Sequence, residues 1–275
     1  MSETQRVAVE NFRTLHAEGC FVLPNPWDVG SAVYLEHLGF KALATTSAGF
    51  AFTRGLLDET ASVDAVLTHC RDIVQATPLP VNADFRHGYA DDPEGVAKNV
   101  TRCIATGVAG LSIEDSTGNN AEPLYDIQLA VERIKAARRA IDASGMPVVL
   151  TGRCEAFLTR DRNAFIVSLQ RLTAYADAGA DCLYAPGVTD PFQIEEIVRE
   201  VSPKPVNVLV SRPDPNLTVA KLAAVGVRRI SVGSALARVA WGAFMRAAQS
   251  IAETGTFESL GEGAAFAELT EVFKR

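Results

Sequence analysis

Hydrophobic and polar positions follow one repeating pattern along the chain: an amphipathic helical stretch, a glycine and a short apolar run. The pattern is clearest in the segments YLEHLGFKALATTSA, CIATGVAGLSIED, AIDASGMPVVLTGR, AYADAGADCLYAPG and LAAVGVRRISVGS. Each glycine stands where a helix C-terminus favours a left-handed residue, and each apolar run is typical of a strand buried on both faces. Alternating helices and buried strands predict right-handed βαβ units and therefore a parallel sheet.

The apolar runs predict about eight strands, which is the number that closes an α/β barrel. In chain order they are Phe21–Leu23, Ala42–Thr46, Pro80–Ala83, Gly110–Ile113, Val148–Thr151, Cys182–Ala185, Val206–Val210 and Ile230–Val232. No linker interrupts the series, so we predict a single domain, residues 1–275, with the TIM (β/α)8 barrel fold. An open doubly wound sheet is the alternative, but PNPWDVGSA follows the first strand in place of the G-x-G-x-x-G turn typical of that fold.

Helical periodicity is strong between the predicted strands and in the C-terminal tail. Apolar spacing predicts a helix over Leu124–Ala143, and Asp92-Pro93-Glu94 has the cap and the first-turn proline of a helix start. From about residue 234 we predict a C-terminal extension of two helices, the second around Gly261–Phe273. The first is apolar around much of its circumference, with Leu236, Val239, Trp241, Phe244 and Met245. We interpret it either as a subunit interface or as a barrel helix that the tail covers.

Composition and charge restrict the class of protein further. The chain has 275 residues, of which 48% are hydrophobic, which is enough for one large core. The net charge of -7 and the lack of a basic run argue against a nucleic-acid partner. No apolar run approaches the roughly 20 residues that cross a membrane, and the polar N-terminus has no signal-peptide pattern. We expect a cytoplasmic protein whose five widely spaced cysteines are buried free thiols.

Two acidic residues, Asp84 and Glu114, stand at the carboxyl ends of neighbouring predicted strands, where barrel enzymes carry their chemistry. Because adjacent strands lie about 5 Å apart, the two carboxylates could converge on one cation. Mg²⁺ suits such a site, since it keeps several waters and needs only one or two carboxylates. The alternative is that each acid forms a salt bridge with an arginine such as Arg86 or Arg153.

Three further features are candidates for substrate binding or catalysis. Arg153 ends the next predicted strand and could bind a substrate carboxylate through two parallel hydrogen bonds, or pair with Glu114 or Glu155. The turn Ser47-Ala48-Gly49 could offer backbone N–H groups and a hydroxyl to a carboxylate. A histidine titrates near neutral pH, so His87 is a candidate general base, although a histidine beside a Gly-Tyr turn is more often structural.

Taken in order, these positions resemble the isocitrate lyase/phosphoenolpyruvate mutase superfamily. The matching segments are PNPWDVGSA, ATTSAGFAFTRGLLD, VNADFRHGYADDPEGV, GVAGLSIEDS, TGRCEAFL, GADCLYAPG, PVNVL and GVRRISVGSALARVA. The resemblance implies a TIM barrel whose terminal helix is exchanged between the subunits of a homodimer or tetramer. It also implies Mg²⁺-dependent chemistry on small 2-oxo or 2-hydroxy acids through an enolate-like species.

The resemblance implies a set of substrate-binding residues. Ser47, Ala48 and Gly49 match the turn that holds the substrate carboxylate or phosphonate in the family. Arg153 matches the substrate-binding arginine, and Asn207 resembles a polar residue that lines the pocket in some members. A small carboxylate is therefore the expected ligand.

The resemblance also implies metal-binding and catalytic residues. Asp84 matches the principal Mg²⁺ ligand, and Glu114 matches a second acid that is linked to the metal through water. Asp58 matches an acid close to both metal and substrate. Together with the resemblance, the residues predict Asp58, Glu114 and Arg153 as the catalytic set.

Two departures from the family pattern limit these implications. The family pattern D-x-[DE]-x-G-Y reads Asp84-Phe85-Arg86-His87-Gly88-Tyr89 here, so Arg86 stands where a second carboxylate is expected and weakens the case for Mg²⁺. The loop Asp115–Pro123 has no lysine, histidine or cysteine, which argues against cleavage of isocitrate or 2-methylisocitrate. The sequence favours a lyase of the oxaloacetate decarboxylase type. The alternatives are a C–P or C–C bond enzyme acting on phosphonopyruvate or a 2-hydroxy acid, and a non-catalytic carboxylate-binding barrel.

Overall fold

The computed structural model describes residues 2–274, and its centre is a ring of short parallel strands. The strands are β1 (Phe21–Leu23), β2 (Leu43–Ala44), β3 (Val81–Asp84), β4 (Gly110–Glu114), β5 (Val149–Arg153), β6 (Cys182–Tyr184), β7 (Val206–Leu209) and β8 (Arg229–Ser231). They are hydrogen-bonded in the order β1-β8-β7-β6-β5-β4-β3-β2. The N–H of Ala44 donates to the carbonyl of Pro24 at 3.0 Å, which joins β2 to the segment after β1 and nearly closes the ring. The predicted α/β barrel of the TIM type is confirmed.

Helices surround the ring and occupy the two chain ends. They are α1 (Glu3–Ala17), α2 (Val29–His37), α3 (Ser47–Thr53), α4 (Val63–Ala76), α5 (Pro93–Ile104), α6 (Ile127–Ser144), α7 (Ala164–Asp177), α8 (Pro191–Glu200), α9 (Val219–Ala224), α10 (Ala235–Thr254) and α11 (Phe266–Phe273). Short 3-10 turns lie at Asp58–Thr60 and Glu258–Glu262. The two predicted C-terminal helices are thus present as α10 and α11.

Local contacts explain where two of these helices begin. At α5 the Asp92 carboxylate accepts from the N–H of Gly95 at 2.8 Å and proline follows the cap, as predicted. Helix α6 begins three residues later than predicted. Leu124 forms a β-bridge with Ser116, and the N–H of Tyr125 donates to the carbonyl of Asp115 at 2.9 Å. These two residues therefore close the loop after β4 instead of starting the helix.

Helix α1 packs across the amino-terminal ends of the strands. Its Phe12 is fully buried, and the Gln5 amide donates to the carbonyls of Ile104 at 2.8 Å and Val108 at 3.2 Å. Gly110, the first residue of β4, is needed for this packing. A Cβ there would lie 2.6 Å from Cε1 of Phe12. The helix closes the end of the barrel that is opposite to the carboxyl ends of the strands.

The barrel interior is unusually polar. Side chains alternate along each strand between the interior and the surrounding helices. The interior of a TIM barrel is normally filled by branched apolar residues. In this chain the inward positions include Asn82, Ser112, Thr151, Asn207, Arg229 and Ser231, all of which are buried.

Helix α10 exposes apolar residues that the tail does not cover. Val239 is 70% exposed, Phe244 59% and Met245 60%. The tail turns instead towards α2, where Gly30 approaches the Phe273 ring. The alternative in which the tail covers α10 is therefore wrong, and a subunit interface stays a prediction.

None of the helices between residues 2 and 274 combines the length and apolarity that a bilayer crossing requires. All five cysteines are free. Four of them are buried, as predicted, whereas Cys20 is only half-buried.

Candidate functional site

A cavity of about 170 Å³ opens where the strands end. Its wall includes the predicted residues Ser47, Ala48, Asp58, Asp84, Arg153 and Asn207. Residues far apart in the chain therefore meet at one site. Glu114 and Gly49 were predicted with this group, but neither is on the cavity wall.

Arg153 is the centre of the charged groups. Its Nη1 lies 3.1 Å from Oδ1 of Asp84 and 3.1 Å from Oε2 of Glu114, and its Nε donates to Oε1 of Glu155 at 2.5 Å. The pairing follows from strand register, because Glu114 lies directly opposite Arg153 on β4 and β5. No hydrogen bond from Nη2 of Arg153 is recorded within residues 2–274. That nitrogen is therefore available to a ligand.

Burial shifts two of the acids around this arginine, Glu114 and Glu155, towards their neutral forms. Burial raises the pKa of Glu114 to about 8, against the opposing charge of Arg153. Burial likewise raises the pKa of Glu155. Glu114 was predicted as both catalyst and metal ligand. The structure places it behind Arg153, where it acts on the cavity through the guanidinium.

Asp84 is held from three sides. Its Oδ1 accepts from Arg153, its Oδ2 accepts from the N–H of Ser47 at 3.0 Å, and its own N–H donates to Oγ1 of Thr45 at 2.9 Å. Both carboxylate oxygens therefore have donors before any ligand arrives. The contact with Ser47 fixes the start of α3 against the end of β3.

These residues do not fit a preformed Mg²⁺ centre. Asp84 and Glu114 converge on one point, as predicted, but Arg153 Nη1 lies there. Asp84 is occupied by two donors, and the raised pKa of Glu114 favours its uncharged form. In the described part of the chain, no cluster of three or more His, Cys, Asp or Glu side chains is spaced to hold a metal ion. The predicted alternative, a salt bridge of both acids with an arginine, is what the structure contains.

The predicted carboxylate-binding turn is partly closed to a ligand. The N–H of Ser47 donates to Asp84, and the N–H of Gly49 donates to the Thr46 hydroxyl at 3.2 Å. Gly49 serves packing instead, because a Cβ there would lie 2.5 Å from Cγ2 of Thr46 and 3.0 Å from Cβ of Trp27. The N–H of Gly49 is therefore engaged within the protein, and its binding role stays a prediction. Ser47 and Ala48 still line the cavity, where the Ser47 side chain lies within hydrogen-bonding reach of Asp58.

Asp58 lies on the cavity wall with an unused oxygen. Its Oδ1 is buried and has no hydrogen-bond partner in residues 2–274. Burial raises the pKa of this carboxyl group. Arg86, the residue that replaces a family carboxylate, donates from Nη1 to the backbone carbonyl of Asp58 at 3.3 Å. Arg86 thus supports the turn of Asp58 and does not pair with Asp84.

Asn207 faces the cavity, but both ends of its amide are engaged. Its Nδ2 donates to the Ser231 hydroxyl at 2.9 Å, and its Oδ1 accepts from Nε of Arg229 at 2.9 Å. Arg229 is a buried cavity residue that the sequence interpretation missed. The signal was its place in RRISV, where alternation puts one of the two arginines inside the barrel.

Asp115 stands at the carboxyl end of β4, but the sequence interpretation gave it no role in the site. It is buried, and its Oδ1 accepts from the N–H of Glu155 at 2.8 Å. Its Oδ2 accepts from the Tyr175 hydroxyl at 2.6 Å and from Arg171 at 3.1 Å. Asp115 therefore positions Glu155, and through it Arg153. The remainder of the Asp115–Pro123 loop is mostly exposed.

His87 lies away from the cavity wall. Burial and the nearby charges of Arg86 and Arg133 together lower its pKa to about 4. Its backbone carbonyl accepts from Arg133. The structural alternative therefore describes His87 better than a role as general base.

A TIM-type barrel with a charged cavity at the carboxyl ends of its strands has the arrangement of a barrel enzyme. Comparison with known proteins gives the family. The model of the phosphoenolpyruvate phosphomutase family matches residues 12–252. A solved structure from Burkholderia cenocepacia J2315, described as that of a candidate lyase/mutase, is 44% identical with a TM-score of 0.95, covering 100% of this chain and 98% of that one.

Two relatives in other bacteria extend the comparison. An oxaloacetate decarboxylase of Pseudomonas entomophila (strain L48) is 32% identical over 244 residues, covering 82% of this chain and 78% of its own length. A Mycobacterium tuberculosis protein (strain CDC 1551 / Oshkosh), named only as uncharacterized, is 34% identical over 260 residues, 94% of each. The chain belongs to the isocitrate lyase/phosphoenolpyruvate mutase superfamily. It is an enzyme of the lyase type found there.

Proposed function

We propose that this enzyme cleaves a small 2-oxo acid, in the manner of an oxaloacetate decarboxylase, through an enolate-like intermediate. The observation that carries the proposal is the state of Arg153. Three carboxylates fix its guanidinium at the edge of the cavity, while its Nη2 is free to bind a ligand. A fixed cation beside an enclosed cavity is suited to stabilise the negative charge that develops on a 2-oxo group.

In the proposed reaction, Arg153 donates a hydrogen bond to the 2-oxo oxygen of the substrate. The bond between C3 and the departing carboxylate breaks, its electron pair moves into the enolate, and carbon dioxide leaves. Asp58 then gives a proton to C3, which forms pyruvate, and recovers a proton from water. The raised pKa of Asp58 supports this role, because burial favours the protonated form that a proton donor needs.

The family resemblance implies that turnover depends on Mg²⁺, and this dependence is tested separately. Because both carboxylate oxygens of Asp84 and Oε2 of Glu114 already contact donors of this chain, no step of the proposed reaction passes through a metal. Turnover with and without Mg²⁺ measures whether Asp84 and Glu114 nevertheless recruit the ion.

The test is product analysis by ¹³C NMR after purified enzyme is incubated with oxaloacetate, phosphonopyruvate and a 2-hydroxy acid, each with Mg²⁺ and with chelator. We expect pyruvate and carbon dioxide from oxaloacetate above the buffer rate. Cleavage of phosphonopyruvate or of the 2-hydroxy acid alone would identify the enzyme as one that acts on C–P or other C–C bonds. No turnover of any of the three would favour a carboxylate-binding barrel.

We also propose that the enzyme is a homodimer or tetramer in which α10 packs against a second copy. The support is the exposed row Val239, Trp241, Phe244 and Met245, because monomeric proteins rarely expose so continuous an apolar surface. Analytical ultracentrifugation should give a mass of two or four chains, and a monomer would contradict the proposal. The proposal further places the enzyme in the cytoplasm, with a small carboxylate as its partner and neither nucleic acid nor membrane.

A further inference from the structure

Arg229 lies deep in the barrel, at the end of the cavity opposite to its mouth. It is the first residue of β8, is 2% exposed and forms part of the cavity wall. Its Nε donates to Asn207 Oδ1 at 2.9 Å, its Nη2 to Thr151 Oγ1 at 3.0 Å, and its Nη1 contacts His16 Nε2 at 3.2 Å. These contacts hold the guanidinium in one orientation.

No acidic side chain neutralises this cation. Its three partners are an amide, a hydroxyl and an imidazole, and none of the ion pairs within residues 2–274 includes it. Burial and the charge of Arg229 lower the pKa of His16 to about 3, so the imidazole is neutral. Because Nε2 of His16 faces a donor, Nδ1 carries the proton and donates to the carbonyl of Phe12 at 2.7 Å. A guanidinium is a permanent cation, and one buried without a counter-ion is costly.

The cavity therefore contains two cations of different kinds. Arg153 at its edge is surrounded by carboxylates, whereas Arg229 at its floor has only neutral partners. Each terminal nitrogen of Arg229 has a second N–H for which no acceptor is recorded in the described residues. In the turn Ser47-Ala48-Gly49, the N–H groups of Ser47 and Gly49 already donate within the protein. The turn is therefore less suited to bind a carboxylate than the guanidinium of Arg229.

We propose that Arg229 binds the carboxylate of the 2-oxo acid at the floor of the cavity and so determines the orientation of the substrate. The inference rests on the proposed function and adds to it. With the carboxylate at Arg229, the neighbouring 2-oxo group faces Arg153, and the departing group lies towards the mouth, on the side of Asp58. Asn207 and His16 are then positioning residues that orient the guanidinium.

The first experiment measures oxalate binding by calorimetry in wild-type enzyme, Arg229→Met and Arg228→Met. Arg228 is a matched control, because it is the adjacent arginine and donates to the carbonyl of Gly19 outside the cavity. We expect oxalate to bind about 10- to 100-fold more weakly to Arg229→Met, the loss typical of a charged hydrogen bond, and unchanged to Arg228→Met. Equal affinity in the two variants, or no binding to wild type at millimolar oxalate, would overturn the proposal.

The second experiment needs no variant and holds even if Arg229→Met does not fold. A crystal structure of wild-type enzyme with oxalate should show a carboxylate oxygen within hydrogen-bond distance of the Arg229 guanidinium. Oxalate bound entirely at Arg153 and Ser47 would overturn the proposal. Oxalate at Arg229 without turnover of any 2-oxo acid would retain this binding site and reject the lyase. Turnover of a 2-oxo acid with oxalate bound elsewhere would retain the lyase and reject Arg229 as the binding site.

Discussion

Replacing Arg153 by methionine removes the cation that Asp84, Glu114 and Glu155 share. Their side chains are 19%, 6% and 9% exposed, so water can compensate little. Breaking a buried ion pair by removing one partner costs about 3–5 kcal/mol. We expect the free energy of unfolding to fall by an amount within that range. Three broken ion pairs should not cost three times as much, because Glu114 and Glu155 can take up protons.

The loss should depend on pH. Burial already raises the pKa of Glu114 in the folded protein from 4.5 to about 8, and removal of Arg153 takes away the main opposing charge. A carboxyl whose folded pKa exceeds its unfolded value destabilises the folded state increasingly as pH rises from the unfolded towards the folded pKa. Wild-type Glu114 ionises beside Arg153 only above about pH 8, whereas without Arg153 it stays neutral to higher pH, so the deficit of Arg153→Met relative to wild type should be smaller at pH 7 than at pH 9, by about 1 kcal/mol or more.

Urea unfolding of both proteins at the two pH values provides the measurement. Arg162→Met is the control, since Arg162 is exposed on the loop after β5 and should change the free energy of unfolding by less than about 0.5 kcal/mol. A deficit below about 1 kcal/mol, or one that is equal at both pH values, would refute the reasoning that three buried acids depend on this arginine.

Three further outcomes follow from the same geometry. Asp58→Asn should lower kcat about 100-fold or more without unfolding the protein. Wild-type activity should fall as pH rises through the raised pKa of Asp58, and the variant should not show this fall. Gly110→Ala places a Cβ 2.6 Å from the Phe12 ring and should lower the free energy of unfolding by about 1–3 kcal/mol, whereas Gly261→Ala, with nothing within 4 Å, should leave it unchanged in urea unfolding. Phe244→Glu should convert the oligomer to monomers in analytical ultracentrifugation, because a charge cannot be buried in an apolar interface; an unchanged mass would contradict the assigned surface.

The barrel could be predicted because its information is local. Each glycine after an amphipathic stretch, and each apolar run after that glycine, is visible within about a dozen residues of sequence. The weakest strand prediction was Ala42–Thr46, of which only Leu43–Ala44 is a strand. Thr46 caps α3 instead, where its hydroxyl accepts from Gly49. A side chain that can cap a helix competes with strand extension, and the sequence pattern does not decide between them.

The location of the site residues could be predicted, but their partners could not. Strand ends predict that Asp84, Glu114 and Arg153 lie close together. Whether the two acids bind a metal ion or a guanidinium depends on contacts of about 3 Å between residues 39 and 69 positions apart. Arg229 was missed for a related reason. An arginine next to an apolar run is easily interpreted as a residue at the end of a strand. Only when one inward-facing position of the strand is known does the alternation of side chains place this arginine inside the barrel.

The most direct test of the account is the rate of pyruvate release from oxaloacetate by chelator-treated enzyme. We expect turnover above the buffer rate without added Mg²⁺, and we expect it to be lost in Arg153→Met but kept in the control variant Arg162→Met. Turnover that requires Mg²⁺ would contradict Arg153 as the group that stabilises the enolate. No pyruvate with or without Mg²⁺ would contradict the proposed reaction itself.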